Sequence, residues 1–308
     1  MKVHNMLVAT DLSENAEPVY LQARAMARAL GARVTLLCVD EVADFRLPAA
    51  SPGIAAQWRQ TLEEVNRRQK ARLDQTLAAF REDRIETELT RATGKPAEKI
   101  CELAHATDAD LVVLGKRGVR MISGINIGRT TKRVLRRCRV PTLVVPESAP
   151  QVPTFERLIA TTNFTQSCAA GLRETLELAG QLEAAVEYVH VIRLPMPFSF
   201  AVEDWGQLVP SESRQQIQHT LAKDLSNLVG QAAASRCSPV SAIGVSVSET
   251  LRDLALESGA ALIAIPARGK RRTGLFGSTA ENVLKLSPVP VLIYPVAFLE
   301  RADAAQPR

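Results

Sequence analysis

The sequence predicts an α/β chain built from two like domains, each a doubly wound parallel sheet with helices on both faces. Three observations carry that reading. First, the chain repeats itself: NMLVATDLS at 5–13 aligns with RLIATTNFT at 157–165, and VPTLVVP at 140–146 with VPVLIYP at 289–295. A repeat of about 150 residues is a whole domain rather than a solenoid unit. Second, short apolar runs alternate with amphipathic stretches in each copy, as in parallel strands buried on both faces and joined by crossover helices. Third, PESAPQVPT at 146–154 separates the copies with Pro and Ser. The boundaries read from this are a first domain at 1–147, a linker at 148–152, a second domain at 153–298 and a C-terminal tail at 299–308.

The elements follow in order. NMLVAT is a first strand, and the Ala-rich AEPVYLQARAMARAL after it has helical spacing. VTLLCVD is a second, β-rich run. A polar stretch with Pro48, Pro52 and Gly53 leads to a helix near 55–80. IETELTRA is a half-exposed third strand. PAEKICELAHAT is a helix with Pro96 in its first turn, where a missing N–H costs nothing. ADLVVLG is a buried strand, TTKRVLRRC a helix, and VPTLVVP closes the copy. The second copy has its strands at RLIATT, VEYVHV, VSAIGVSV, AALIAIP and VPVLIYP. The two closing strands carry apolar Val, Leu and Ile faces, and exposed apolar edges invite pairing with each other.

Composition excludes several function classes. Aromatics are 4% of 308 residues, so the core is aliphatic. No apolar run approaches the roughly 18 residues of a membrane helix, and the start is a poor signal peptide, which points to the cytoplasm and to no membrane partner. The net charge of +5 is weak grounds for nucleic acid. The basic run at 115–140 lacks the aromatics that stack single strands. Five cysteines without a CxxC disfavour a disulfide framework or zinc site, and Cys38 and Cys101 read as core. His4, His105, His190 and His219 show no ligand spacing, so no metal site is assigned. There is no GxxxxGK[ST], no GxSxG and no GxGxxG after the first strand, which disfavours P-loop, hydrolase and hydride-transfer chemistry.

What remains is a set of glycines. Gly115 and Gly118 follow the fourth strand, nine residues then lead to Gly128, and the second copy has Gly277-Ser278-Thr279 before its last helix. Together with Asp11 after the first strand and the closing VPVLIYP, these resemble the universal stress protein family in its tandem form. The resemblance covers nearly the whole chain. It implies Rossmann-like sheets of strand order 3-2-1-4-5, a role in stress tolerance, and binding of ATP or another adenine nucleotide, with Mg²⁺ accompanying the phosphates. Family dimers form through their fifth strands, and a tandem chain can mimic that dimer internally; a homodimer or other protein partners stay open.

Carried over, the family's contacts give Thr10, Asp11 and Val39 to base and ribose. Leu114, Gly115, Arg117 and Gly118 line the sugar and first phosphate, and Gly128, Arg129, Thr130 and Thr131 the outer phosphates. Glycines admit close backbone approach, and a helix start near Arg129 offers unpaired N–H groups to an anion. Arg129 departs from the family's usual Ser or Thr. In the second copy the Gly277, Ser278 and Thr279 spelling is kept and reads as a helix cap or an anion loop. Pro266 stands there in place of Gly115, and Asn163 in place of Asp11. No catalytic residue is assigned; at most slow ATP hydrolysis is expected. The competing reading is an interaction or scaffold protein of the same fold that binds no nucleotide.

Overall fold

The protein is described by a computed structural model, covering residues 1–40, 52–118, 126–193, 210–234, 237–267 and 277–304. Its first half runs β1 (Asn5–Thr10), α1 (Glu17–Leu30), β2 (Arg33–Asp40), α2 (Pro52–Glu82), β3 (Thr87–Thr93), α3 (Pro96–Ala106), β4 (Leu111–Gly115), α4 (Arg129–Arg137) and β5 (Thr142–Val145). Its second half runs β6 (Arg157–Thr162), α5 (Gln166–Leu182), β7 (Ala185–Arg193), α6 (Ser211–Ala234), β8 (Cys237–Gly244), α7 (Val247–Ser258), β9 (Leu262–Pro266), α8 (Ser278–Leu286), β10 (Val291–Tyr294) and α9 (Val296–Ala304).

The two parallel sheets expected from the sequence are one mixed, ten-stranded sheet, ordered β3-β2-β1-β4-β5-β10-β9-β6-β7-β8. Every pairing within a half is parallel. The central seam is antiparallel, with Val291 opposite Val144 and Leu292 opposite Leu143. The first half reads 3-2-1-4-5 from its outer edge; the second runs β10-β9-β6-β7-β8 outward from the seam. The cause is burial. The four seam residues just named are each no more than 1% exposed, and a row of unpaired backbone groups on such an apolar strand would be costly to leave open.

The core ignores the repeat boundary. One apolar cluster under the sheet joins Met6, Leu36 and Leu143 of the first half to Leu158, Tyr188 and Leu292 of the second. On the opposite face, α3 and α4 cover the first half, with Ile100 and Val134 in their cluster. There α7 and α8 cover the second half, where Leu135 and Val144 join them from across the seam.

Two expectations need correction. The run VSAIGVSV was read as strand throughout, yet β8 stops at Gly244 and α7 starts at Val247. Ser246 caps that helix, its hydroxyl accepting the Glu249 N–H at 3.5 Å. The Ser-x-x-Glu spacing is the local signal that outweighed the β-branched run. Of the stretch 299–308 set apart as a tail, residues 299–304 belong to α9, which continues across position 298 to Ala304. It is docked by buried Leu299 and by an Arg173–Asp303 ion pair. No helix among the described residues is long and apolar enough to cross a membrane.

Candidate functional site

In an open parallel sheet the crevice lies at the carboxyl ends of the strands, where the strand order reverses. Here that is the gap between β1 and β4, and a cavity of about 350 Å³ opens there. All eleven first-half residues singled out in the sequence line it: Thr10, Asp11, Val39, Leu114, Gly115, Arg117, Gly118, Gly128, Arg129, Thr130 and Thr131.

The chain leaves β1 through a sharp turn. Leu12 takes a left-handed conformation, φ 56°, as its counterpart Phe164 does in the second half, φ 62°. The Thr10 hydroxyl is bonded to the Tyr20 hydroxyl and accepts the Leu12 N–H at 2.9 Å. That hydroxyl therefore stitches strand, turn and α1 together, and Thr10 meets the cavity by the rest of its surface. Asp11 is exposed, one carboxylate oxygen accepting the Ser13 N–H at 3.1 Å. Its other oxygen lies against Gly118, where a Cβ would sit 2.5 Å away. Only glycine allows that approach.

The second wall is the start of α4. Gly128 is its N-cap, and the Gly128 N–H is taken by the Lys116 carbonyl at 2.9 Å. The N–H groups of Arg129, Thr130 and Thr131 fall in the first turn, which has no intrahelical acceptors to offer them. The Thr131 side chain is held inside the fold. It is 3% exposed and its hydroxyl donates to the Gly115 carbonyl at 2.9 Å, tying the helix to the end of β4. Thr131 lines the cavity with its hydroxyl already engaged in that bond. Thr130 is half-buried and Arg129 exposed.

The charges divide in a way spacing did not show. Arg117 makes a two-pronged ion pair with Glu147. Lys132 turns to α8 and pairs with Glu281 at 3.1 Å. Lys116 is 9% exposed and donates to the Lys285 carbonyl at 2.5 Å, across the seam at the end of α8. Burial, then neighbouring Arg117, push its ammonium below the usual lysine value. Among the described residues, the cations in the lining outside these pairs are Arg129 and Arg133, both exposed and one turn apart on α4. Arg133 was missed in the sequence reading, although its i+4 spacing from Arg129 could have found it. Also missed were Pro96, Ala97 and Ile100 of α3 and Val19 of α1, an apolar lining opposite the amides.

The second half answers differently. Pro266 is the second half's residue in place of Gly115. It stands in register with Tyr294, where Gly115 stands opposite Val145. Its ring fills space over Gly171, where a Cβ would lie 2.9 Å from the Pro266 ring. In the first half the same exchange is reversed: a Cβ at Gly115 would lie 3.4 Å from the Val19 side chain. Large and small residues have swapped sides, so packing density is kept. Asn163 is engaged locally, its side-chain oxygen accepting from Thr165 at 2.7 Å and from Cys168 at 3.0 Å. Of the Gly277-Ser278-Thr279 run, read as a helix cap or an anion loop, Gly277 is the N-cap of α8, at φ 100°. Ser278 and Thr279 follow it inside the helix and are exposed. They are absent from the lining of the first-half cavity. The loop before them, 268–276, lies outside the described residues. Among the described residues no group of three or more His, Cys, Asp or Glu could hold a metal ion.

Residues 2–146 and 154–295 each match the universal stress protein family. Universal stress protein Sll1388 of Synechocystis sp. is 28% identical over 147 residues, covering 46% of this chain and 96% of that protein. A universal stress protein of Thermus aquaticus is 28% identical over 141 residues, again 46% of this chain and 96% of its own length. Among solved structures, a universal stress protein of Archaeoglobus fulgidus shares the fold over 94% of this chain and 96% of its own. Its TM-score is 0.63 at 20% identity. A functionally unknown protein of Pseudomonas aeruginosa shares it over 98% of each chain, with TM-score 0.60 at 15% identity.

Proposed function

This chain belongs to the universal stress protein family, and from that premise we propose that it is a stress-response protein whose first half binds ATP or another adenine nucleotide. We take 1–147 and 153–298 as its two domains, joined by 148–152.

The single observation that supports the reading is the convergence of eleven family positions on one cavity. Its volume, about 350 Å³, is at the lower end of the range for small-ligand pockets. The donor set fits the ligand in kind. Val39, Ala97, Ile100 and Leu114 give the base an apolar slot. Asp11 accepts from a ribose hydroxyl. Gly115, Gly118 and Gly128 let the backbone come close to the phosphates, and the first turn of α4 adds its unpaired N–H groups and dipole. Arg129 and Arg133 supply charge, and guanidinium groups can grip phosphate oxygens in pairs. Among the described residues, Asp11 is the sole carboxylate in the lining. Mg²⁺ would therefore arrive on the phosphates rather than in a protein cage. That same scarcity of acid–base and metal-holding groups supports slow hydrolysis at most.

The second domain supports the non-nucleotide reading for itself, because Asn163 is held by Thr165 and Cys168 and Pro266 offers no N–H. Calorimetry tests both readings. ATP with Mg²⁺ titrated into the full chain should give a saturable heat at one site per chain. Absence of binding by ATP and ADP overturns the nucleotide proposal; two equal sites overturn the division between domains.

A further inference from the structure

Lys116 stands between two cavity residues, Gly115 and Arg117, without lining the cavity itself. It is 9% exposed, and its side chain turns to the seam. A buried ammonium is costly unless its hydrogens find acceptors. Here the acceptor belongs to the second half: Nζ donates to the Lys285 carbonyl oxygen at 2.5 Å. Lys285 lies in the last turn of α8, which ends at Leu286. Carbonyls in a last turn have no intrahelical donor and carry the negative end of the helix dipole. The ammonium therefore caps α8 from across the seam.

The backbone of the same residue holds a wall of the cavity. Its N–H donates to the Val145 carbonyl at 2.7 Å, and its carbonyl accepts the Gly128 N–H at 2.9 Å. Gly128 is seated on that backbone, since a Cβ there would lie 3.3 Å from the Lys116 carbonyl oxygen. Gly128 is also the N-cap of α4, and its own carbonyl accepts the Lys132 N–H at 2.9 Å. The Lys132 side chain then reaches α8 as well, at Glu281, one turn before Lys285. Two lysines thus lead from the start of α4 to one face of α8.

The second copy is built differently at this position. Ala267 stands where Lys116 does, and its N–H makes the matching backbone bond, to the Tyr294 carbonyl at 2.8 Å. A methyl group cannot span the seam. The backbone arrangement is common to both halves, whereas the ammonium anchor runs from the first half to the second.

We propose that Lys116 is a positioning residue of the first-half site, with α8 of the second half as its anchor. The anchored residue holds the end of β4 against the N-cap of α4. Those two segments form the phosphate-facing wall in the nucleotide reading, on which the binding part of the inference rests. The first-half site is then incomplete without the second half.

The test uses the full chain. Lys116→Met keeps an unbranched side chain and loses the donor; Lys116→Arg keeps a cationic donor. Hydrogen–deuterium exchange is followed by mass spectrometry on the protein without ligand. Lys116→Met should exchange about tenfold faster than wild type at 126–131 and 283–288, as expected for one lost hydrogen bond to a charged group. Exchange in β2 and β7 should not change, and Lys116→Arg should stay near wild type. Calorimetry with ATP and Mg²⁺ should give a Kd about tenfold higher for Lys116→Met and close to wild type for Lys116→Arg. Equal exchange at 126–131 in wild type and Lys116→Met overturns the anchor. Faster exchange there with unchanged ATP affinity overturns the positioning role. Wild-type protein that binds no ATP fails the nucleotide reading and the positioning role with it, while the exchange comparison still decides the anchor. Should Lys116→Met fail to fold, wild type decides alone: in dilute denaturant 126–131 and 283–288 should lose protection together, and loss in separate steps overturns the anchor.

Discussion

Gly118→Ala puts the site to its sharpest test. The added Cβ would lie 2.5 Å from an Asp11 carboxylate oxygen. An ordinary contact needs about 3.5 Å, so the carboxylate must retreat by about 1 Å. Asp11 is exposed, and its backbone neighbours at Gly118 keep an ordinary conformation. The cost to folding should stay within about 0.5 kcal/mol, as for other surface substitutions. The cost to binding is larger. The displaced carboxylate loses its place in the cavity, and the backbone at 118 can no longer approach a phosphate. Losing one hydrogen bond to a charged group costs about 1.5–3 kcal/mol. That is roughly a 10- to 150-fold rise in Kd. Calorimetry with ATP and Mg²⁺ on wild type and variant reads the change, and thermal unfolding of both checks the fold. A variant that keeps both its melting temperature and its affinity would refute the geometry of the site; one that fails to fold would refute the claim that Gly118 serves the cavity rather than the core.

Three further outcomes follow from the fold. Leu143→Ala, at the antiparallel seam and fully buried, should cost about 2–5 kcal/mol. Because the cluster beneath it spans both halves, denaturant unfolding should shift as one transition rather than split. Glu183→Gly should stabilise by about 1 kcal/mol in the same assay. Glu183 ends α5 in the left-handed region, φ 56°, a strained place for a side chain that Gly31 fills at the end of α1. The Lys132–Glu281 pair across the seam should make stability pH-dependent. Partial burial opposes ionisation of Glu281, but the hydrogen bond and charge of Lys132, with Lys285, hold its carboxyl below the ordinary value of 4.5. The unfolded chain binds that proton more readily, so the contribution is complete above the ordinary value and is lost as pH falls through the folded one. Glu281→Gln should therefore be less stable than wild type at pH 7, with the gap closing in acid; a gap that widened in acid would contradict this.

How much could be read without coordinates depends on the range of each interaction. The repeat, the strand cores and the glycines at 115, 118 and 128 were legible because apolar periodicity and turn chemistry are written in neighbouring residues. Asp11 and Gly118 were each suspected, but their contact was not. It joins the ends of two strands far apart in the chain, and only the sheet order brings them together. The same holds for Arg117, whose charge seemed available until Glu147 was found beside it, and for Lys132, which serves α8.

By itself the sequence determined a two-copy α/β chain, the order of its strands and first-half helices, and three glycines, at 115, 118 and 128, that gather at one crevice. Tertiary structure alone decided that the two sheets merge, because the pairing of β5 with β10 is set by burial of two distant apolar edges. It decided that Pro266 is a packing exchange, because Gly171 makes room for its ring. Local pattern fixes what an element is; which partner its side chains find is settled by non-local packing, and the chemistry of this protein lies in those partners.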